Sequence, residues 1–234
     1  MHEPRGVDDP RPGPDTTAVR EHYARVARDY ESGANAACSR AYAQLLRRVF
    51  PAATRLIEVG AGSGTALREL SAERRVACDL SLPMLRAQRE PIGWARVVGD
   101  AQTLPFHDAA FDGMCAINVL EHIPDPARLV REARRVLAPG GRLCVVTPNG
   151  DLEWLLDLLE RVHLKLPEGP HRFLTFGDVE DLARCGFRVI EHRRFLAFPA
   201  GPRGLVQWID RVVDRGDGHG LFQYAVLEKP ARDE

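Results

Sequence analysis

The sequence is poor in lysine, carries no excess of charge of either sign and contains no long apolar run. Only Lys165 and Lys229 are lysines among its 32 basic residues, and the formal net charge is -1. A nucleic-acid-binding surface would need a clustered basic excess, which this composition does not provide. No stretch is long enough to cross a bilayer, and the first residues contain no apolar signal segment. We therefore expect a soluble, cytoplasmic protein.

Cysteines are few, odd in number and widely separated. The five are Cys38, Cys78, Cys115, Cys144 and Cys185, and none forms a Cys-x-x-Cys pair. This spacing argues against a disulfide framework or a zinc site and favours a reducing compartment.

The length of 234 residues suits one sizeable domain. Residues Met1 to Thr17 are rich in Pro, Gly and Asp, which predicts a disordered tail. We expect residues 18–234 to form a single domain, with residues 149–173 inserted as a cap over the substrate.

Short apolar runs alternate with helical patterns along most of the chain, which predicts parallel strands joined by helices. Predicted strands are Arg55–Val59, Arg75–Cys78, Ala95–Val98, Phe111–Ile117, Arg142–Thr147, Phe187–Phe195 and Leu221–Glu228. Predicted helices are Thr17–Tyr30, Ala36–Val49, Thr65–Ser71, Pro83–Arg89, Pro126–Leu137, Asp151–His163, Thr175–Cys185 and Pro202–Arg215.

A glycine-rich turn follows the first predicted strand, in the segment Glu58-Val-Gly-Ala-Gly-Ser-Gly64. Dinucleotide-binding turns follow G-x-G-x-x-G, whereas this turn follows G-x-G-x-G and has an acid two residues before its first glycine. A carboxylate there suits a cationic ligand better than a pyrophosphate. The spacing disfavours an NAD oxidoreductase.

Two more acids follow the next two predicted strands. Asp79 closes the second strand, where a carboxylate can accept hydrogen bonds from ribose hydroxyls, and Asp100 follows the third. Each alone could be an ordinary turn acid. At successive strand ends they instead indicate one ligand-binding crevice.

Together these segments resemble the ordered motifs of the class I S-adenosylmethionine (SAM)-dependent methyltransferases, in particular the quinone-pathway O-methyltransferases. The resemblance runs from about Tyr23 to Phe195. It rests on Glu58–Gly64, Asp79–Ser81, Gly99–Ala101, Phe111–Asp112, Val119–Asp125 and Leu137–Gly141. It implies a Rossmann-like, seven-stranded, mostly parallel α/β sheet with helices on both faces and an antiparallel last strand.

The resemblance also assigns roles in binding SAM. Gly60, Gly62 and Gly64 would flank the methionine part, with Glu58 beside them. Asp79 would hold the ribose, Leu80 would pack on the adenine, and Asp100 and Ala101 would meet its amino edge. The carbonyl of Ile117 would accept the ammonium group. Arg40 and Tyr23 lie farther upstream in the chain. Arg40 would contact the cofactor, and Tyr23 would lie on a helix that closes over bound SAM.

Methyl transfer from a sulfonium requires alignment of acceptor and methyl, and a base only where the acceptor must lose a proton. His122 and His171 are candidates for that base, although either could instead bond nearby backbone. The helix Asp151–His163 carries more apolar residues than one core face needs, including Trp154 and Leu158. It is either a buried cap or the wall of a pocket for an apolar acceptor, with peripheral membrane contact as a further possibility.

Three functions therefore stay open. The main one is methylation of an oxygen or nitrogen of a small, fairly apolar metabolite. The alternatives are an RNA or protein methyltransferase and a non-catalytic SAM-binding protein.

We predict that activity does not require a metal ion. Some of the resembling enzymes carry Glu-x-x-Glu-His where this chain has Asn118 before Glu121 and His122. A neutral amide in place of a carboxylate weakens a site for a hard cation. Turnover should be equal with and without EDTA. Loss of turnover that added magnesium restores would contradict this prediction.

Overall fold

The computed structural model describes residues 13–27, 36–51, 53–62, 64–88, 93–161, 169–195 and 220–231. Residues 1–12 of the predicted tail, residues 162–168 and the predicted helix Pro202–Arg215 lie outside these ranges. The prediction of a tail up to Thr17 was wrong at its end, because Thr16 and Thr17 begin a helix capped by Asp15. None of the described helices has the length and apolarity needed to cross a membrane.

Seven strands form one sheet in the order β3-β2-β1-β4-β5-β7-β6. They are β1 Arg55–Val59, β2 Arg74–Asp79, β3 Ala95–Val98, β4 Phe111–Ile117, β5 Leu137–Pro148, β6 Arg188–Phe195 and β7 Phe222–Glu228. The first five are parallel, and β7 runs antiparallel to both β5 and β6. This arrangement confirms the predicted fold class.

Seven α-helices are described. They are α1 Thr16–Val26, α2 Ala36–Val49, α3 Thr65–Arg68, α4 Leu82–Ala87, α5 Pro126–Val136, α6 Glu153–Arg161 and α7 Phe176–Ala183. Ser81 caps α4, and its hydroxyl accepts a hydrogen bond from the Met84 amide.

Alternate residues of the central strands face opposite core layers, as the two-residue period of a strand requires. Met114 of β4 packs on the side of α5 and α7, whereas the adjacent Cys115 packs on the side of α2. Helices therefore cover both faces of the sheet centre, and the central strands β1 and β4 are mostly apolar because neither of their faces meets water.

Several predicted boundaries differ from the observed ones, and two of these differences have a clear physical cause. The predicted helix Thr65–Ser71 ends at Arg68, because the Arg75 guanidinium donates to the carbonyls of Leu67 and Leu70 and satisfies them without a further helical turn. The segment Pro139–Gly141, which lies between the predicted helix Pro126–Leu137 and the predicted strand Arg142–Thr147, belongs to β5. The Gly140 amide donates to the Lys229 carbonyl, so pairing with the chain after β7 holds this segment in the sheet.

Candidate active site

A cleft lies at the carboxyl ends of the first four strands and encloses about 770 Å³ including its open mouth. Nine of the residues predicted from the sequence line it: Tyr23, Gly60, Gly62, Asp79, Leu80, Asp100, Ala101, Ile117 and His122. Sequence reasoning did not identify the lining residues Val19, Met84, Gln102, Asn118, Val119 and Ile123.

The turn after β1 needs glycine for its backbone conformation and for its close contacts. Gly60, Gly62 and Gly64 all have positive φ, at 61°, 45° and 71°. A Cβ on Gly60 would lie 2.3 Å from Cγ2 of Val119, so the chain after β4 packs directly on this turn. Gly64 lies outside the cleft lining, and a Cβ there would be 2.8 Å from the Trp94 ring.

A buried glutamine holds this turn from behind. Gln88 donates from Nε2 to the Gly62 carbonyl at 2.8 Å and accepts from the indole nitrogen of Trp94 at 2.9 Å. Both ends of the amide are therefore satisfied. No spacing in the sequence indicated this contact, because it joins the turn after β1 to the segment that follows α4.

Asp79 connects the turns that follow β1 and β2. One carboxylate oxygen accepts from the Gly62 amide at 2.9 Å and the other from the Ser81 amide at 2.7 Å. Burial raises the pKa of Asp79, and these two hydrogen bonds oppose the rise. A carboxylate offers about four lone-pair sites, so capacity remains for the hydroxyls of a bound ribose.

The adenine end of the predicted site lies at the end of β3. Asp100 lines the cleft, and its Oδ1 accepts from the Gln102 amide at 2.8 Å. Leu80 and Ala101 line the same end and supply apolar surface. An acid beside apolar groups suits a flat base with an exocyclic amino group.

Glu58 lies beside the cleft rather than in its lining. Its side chain is buried, and burial raises its pKa from 4.5 to about 8, opposed by a hydrogen bond from the Leu67 backbone and reinforced by the charge of Asp79. The acid that the glycine motif predicted beside a cationic ligand is thus largely neutral at pH 7.

His122 and Tyr23 close one end of the cleft. His122 Nδ1 lies 2.9 Å from the Pro170 carbonyl, which can only accept, so Nδ1 carries a proton. In the neutral ring Nε2 is then an acceptor, and the Tyr23 hydroxyl lies 2.8 Å from it. The histidine is thereby held in the tautomer that offers Nε2 towards the cleft.

Two predicted site residues remain to be located, His171 and Arg40. His171 lies outside the cleft lining, packs on Phe173 and donates from Nδ1 to the Gly169 carbonyl at 2.8 Å. Its ring centre is 6.2 Å from that of His122. Arg40 belongs to α2, but its side chain lies outside the described part of the structure. Among described residues no cluster of His, Cys, Asp and Glu has the arrangement of a metal site.

Comparison with known proteins places this geometry in a family. A methyltransferase-domain profile matches residues 57–145. The chain is 30% identical over 194 residues to a malonyl-[acyl-carrier protein] O-methyltransferase of Geobacter sulfurreducens, covering 76% of this chain and 72% of that protein. The chain belongs to the class I SAM-dependent methyltransferases.

Other relatives agree on the family but match over less of their length. A demethylmenaquinone methyltransferase of Corynebacterium efficiens is 35% identical over 148 residues, covering 56% of this chain and 64% of that protein. With two further curated relatives the match spans only 30% and 42% of the relative. A crystal structure from Thermotoga maritima, described as a SAM-dependent methyltransferase and possible histamine N-methyltransferase, shares the fold. Its TM-score is 0.71 at 21% identity, covering 90% of this chain and 99% of that one.

The cofactor of the family is SAM, and the residues of this methyltransferase fit it. Gly60 and Gly62 line the cleft without side chains, and Asp79 retains acceptor capacity towards a ribose. The end of β4 also presents a buried amide oxygen, Oδ1 of Asn118, without a hydrogen-bond partner.

We predict that Asp79→Ala weakens binding of S-adenosylhomocysteine at least tenfold. The change removes charge-assisted hydrogen bonds to the ribose, each worth about 1.5–3 kcal/mol. Calorimetric titration of the folded variant measures the loss, and Asp108→Ala at an exposed position is the matched control. Unchanged affinity in a folded Asp79→Ala protein would place the ribose contact elsewhere.

We predict that Glu58 makes the methyltransferase less stable as pH rises. A carboxyl whose folded pKa is about 8 and whose unfolded pKa is 4.5 favours folding fully below pH 4.5, and this contribution is lost as pH rises to 8. The free energy of unfolding should fall between these values, by at most about 1.4 kcal/mol per pH unit from this group. Glu58→Gln should remove this component in denaturant titrations.

The exposed Glu73→Gln serves as the control and should leave the pH dependence as it is in the wild type. Parallel curves for the wild type and Glu58→Gln between pH 5 and 8 would mean that Glu58 ionises normally in the folded protein.

Proposed function

We propose that this methyltransferase transfers the methyl group of SAM to an oxygen or nitrogen of a small, fairly apolar metabolite. The observation that carries the proposal is the hydrogen-bonded pair of Tyr23 and His122 in the wall of the cofactor cleft. A base held beside the cofactor is what a hydroxyl or amine acceptor needs when it must lose a proton.

SAM supplies an activated methyl group on a sulfonium, so the protein has to align the acceptor, exclude water and remove a proton. Tyr23 presents its hydroxyl between the cleft and His122, and the Pro170 carbonyl keeps the lone pair of His122 Nε2 directed at that hydroxyl. A proton can therefore leave the acceptor through the Tyr23 oxygen while Tyr23 passes its own proton to His122. His171, outside the lining, is then a neighbour that supports the loop at Gly169 rather than the base.

The apolar character proposed for the acceptor rests on α6 and on the names of relatives. Leu156 of α6 is buried against Phe173, Leu221 and Phe222, whereas Trp154 is 66% and Leu158 is 48% exposed. Helix α6, in the predicted cap, thus has apolar surface that does not pack in the core. This surface suits contact with an apolar acceptor. The relatives include a protein named for demethylmenaquinone.

Two alternatives stand beside this proposal: methylation of RNA or protein, and binding of SAM without catalysis. The net charge of -1 and the absence of a lysine-rich run in the sequence argue against RNA as the acceptor. The Tyr23–His122 pair argues against a purely binding role, since binding of SAM alone needs no base.

The test is to incubate the protein with SAM and, separately, with phenols and quinols, with amines, with total RNA and with protein extract. Formation of S-adenosylhomocysteine with the small molecules, and a methylated oxygen or nitrogen in the product by mass spectrometry and NMR, is the expected result. Turnover only with RNA or protein would favour the first alternative. Binding of SAM without turnover in any arm would favour the second.

We predict that Tyr23→Phe and His122→Asn each lower kcat by about 100-fold with the acceptor found in this test, the lower range for loss of acid–base catalysis. If the two residues act as one relay, the double variant should be no slower than either single variant. None of the residues of α1 is buried, so Tyr23→Phe should leave thermal stability nearly unchanged.

If Tyr23→Phe turned over at the wild-type rate, Tyr23 would not lie on the proton path. Multiplying effects in the double variant would show that the two side chains act separately.

A further inference from the structure

Asn118, the first residue after β4, has an unusual backbone and an unsatisfied side chain. Its φ is +52°, a left-handed conformation that is uncommon for residues other than glycine. Its amide donates to the Val146 carbonyl of β5 at 2.8 Å, which holds the backbone in this conformation. Residues held in such conformations cluster at ligand sites.

The side-chain oxygen of Asn118 is buried and has no hydrogen-bond partner. The amide nitrogen donates to the Tyr42 hydroxyl at 3.4 Å, which directs the oxygen away from Tyr42. Asn118 lines the cofactor cleft, whereas Glu58, which also has an unpartnered buried oxygen, lies outside its lining. A buried acceptor without a donor calls for a ligand that brings one.

Strand order indicates which part of a ligand reaches Asn118. The sheet runs β3-β2-β1-β4, with neighbouring strands about 4.8 Å apart. With the base at the end of β3 and the ribose at Asp79 on β2, the amino-acid part of SAM falls at the ends of β1 and β4. Val59 of β1 pairs with Ala116 of β4, so Asn118 lies beside the glycine turn.

The amino-acid part of SAM carries an ammonium group with three donors, and the nearby acids are otherwise engaged. The remaining acceptor capacity of Asp79 is assigned to the ribose hydroxyls, and Glu58 lies outside the cleft lining. We infer that Oδ1 of Asn118 accepts a hydrogen bond from the ammonium group of the cofactor, in addition to the backbone carbonyl expected from Ile117. This inference rests on SAM as the cofactor and not on the identity of the acceptor.

The test compares binding of S-adenosylhomocysteine with binding of 5′-methylthioadenosine, which lacks the amino-acid part. Asn118→Gly keeps a residue that tolerates the left-handed backbone and removes the side chain with its amide. Calorimetry should show roughly tenfold or more loss of affinity for S-adenosylhomocysteine, as expected for a hydrogen bond to a charged group, and an unchanged affinity for 5′-methylthioadenosine. Asn118→Asp, which also tolerates this backbone and offers a carboxylate, should retain binding of S-adenosylhomocysteine.

Unchanged affinity of Asn118→Gly for S-adenosylhomocysteine would overturn the inference. Equal loss for both ligands would overturn it too, because the variant would then have disturbed the whole cleft. If the wild-type protein bound neither ligand, the assignment of SAM would fail first and the role of Asn118 with it. If the wild type binds both ligands, failure of the Asn118 variants to discriminate concerns Asn118 alone.

Discussion

The carboxylate of Asp79 ties together the two turns on which the cofactor site depends. It is placed by a buried parallel strand, and its two hydrogen bonds fix the positions of Gly62 and Ser81 relative to each other. Gln88 then holds the other side of Gly62, and Trp94 holds Gln88. The turn therefore keeps its shape through contacts made within the protein, which lowers the entropic cost of ordering it around a ligand.

The part of the fold that follows local pattern could be predicted from the sequence. β1 and β4 agree with their predicted bounds because a buried parallel strand is a short apolar run that ends where polar or glycine residues begin. The bounds of β3 agree as well, although its residues are mostly exposed. The start of β5 could not be predicted in this way. Pro139 and the two glycines after it resemble a turn, and pairing with the distant chain around Lys229 overrides that local signal.

Some parts of the candidate site could likewise be predicted from local sequence, and other parts could not. Gly60, Asp79 and Asp100 could be predicted because each follows a strand end, and the sheet brings strand ends together. The contact of Gln88 with Gly62 and the tautomer of His122 could not, since each depends on a partner distant in the chain. The sequence also placed Glu58 near the ligand, but its side chain packs under the turn, where burial favours the neutral form. Strand ends thus indicate where the cofactor residues lie, whereas contacts between separate elements fix the detailed geometry of the site.

The wall of the cleft formed by α1 is anchored to the core differently from the wall formed by the sheet. The sheet side is anchored by fully buried residues of β1 and β4, whereas α1 contributes none of its residues to the core and meets the opposite wall through the Tyr23–His122 hydrogen bond. Moving this wall outward would break the Tyr23–His122 hydrogen bond and the packing of the flanking residues Pro14 and Ala27, and would leave the pairing of the strands intact. If the wall moves in this way to admit cofactor, the strands that carry the glycine turn need not deform, and the rate of cofactor exchange and the stability of the fold would depend on different residues.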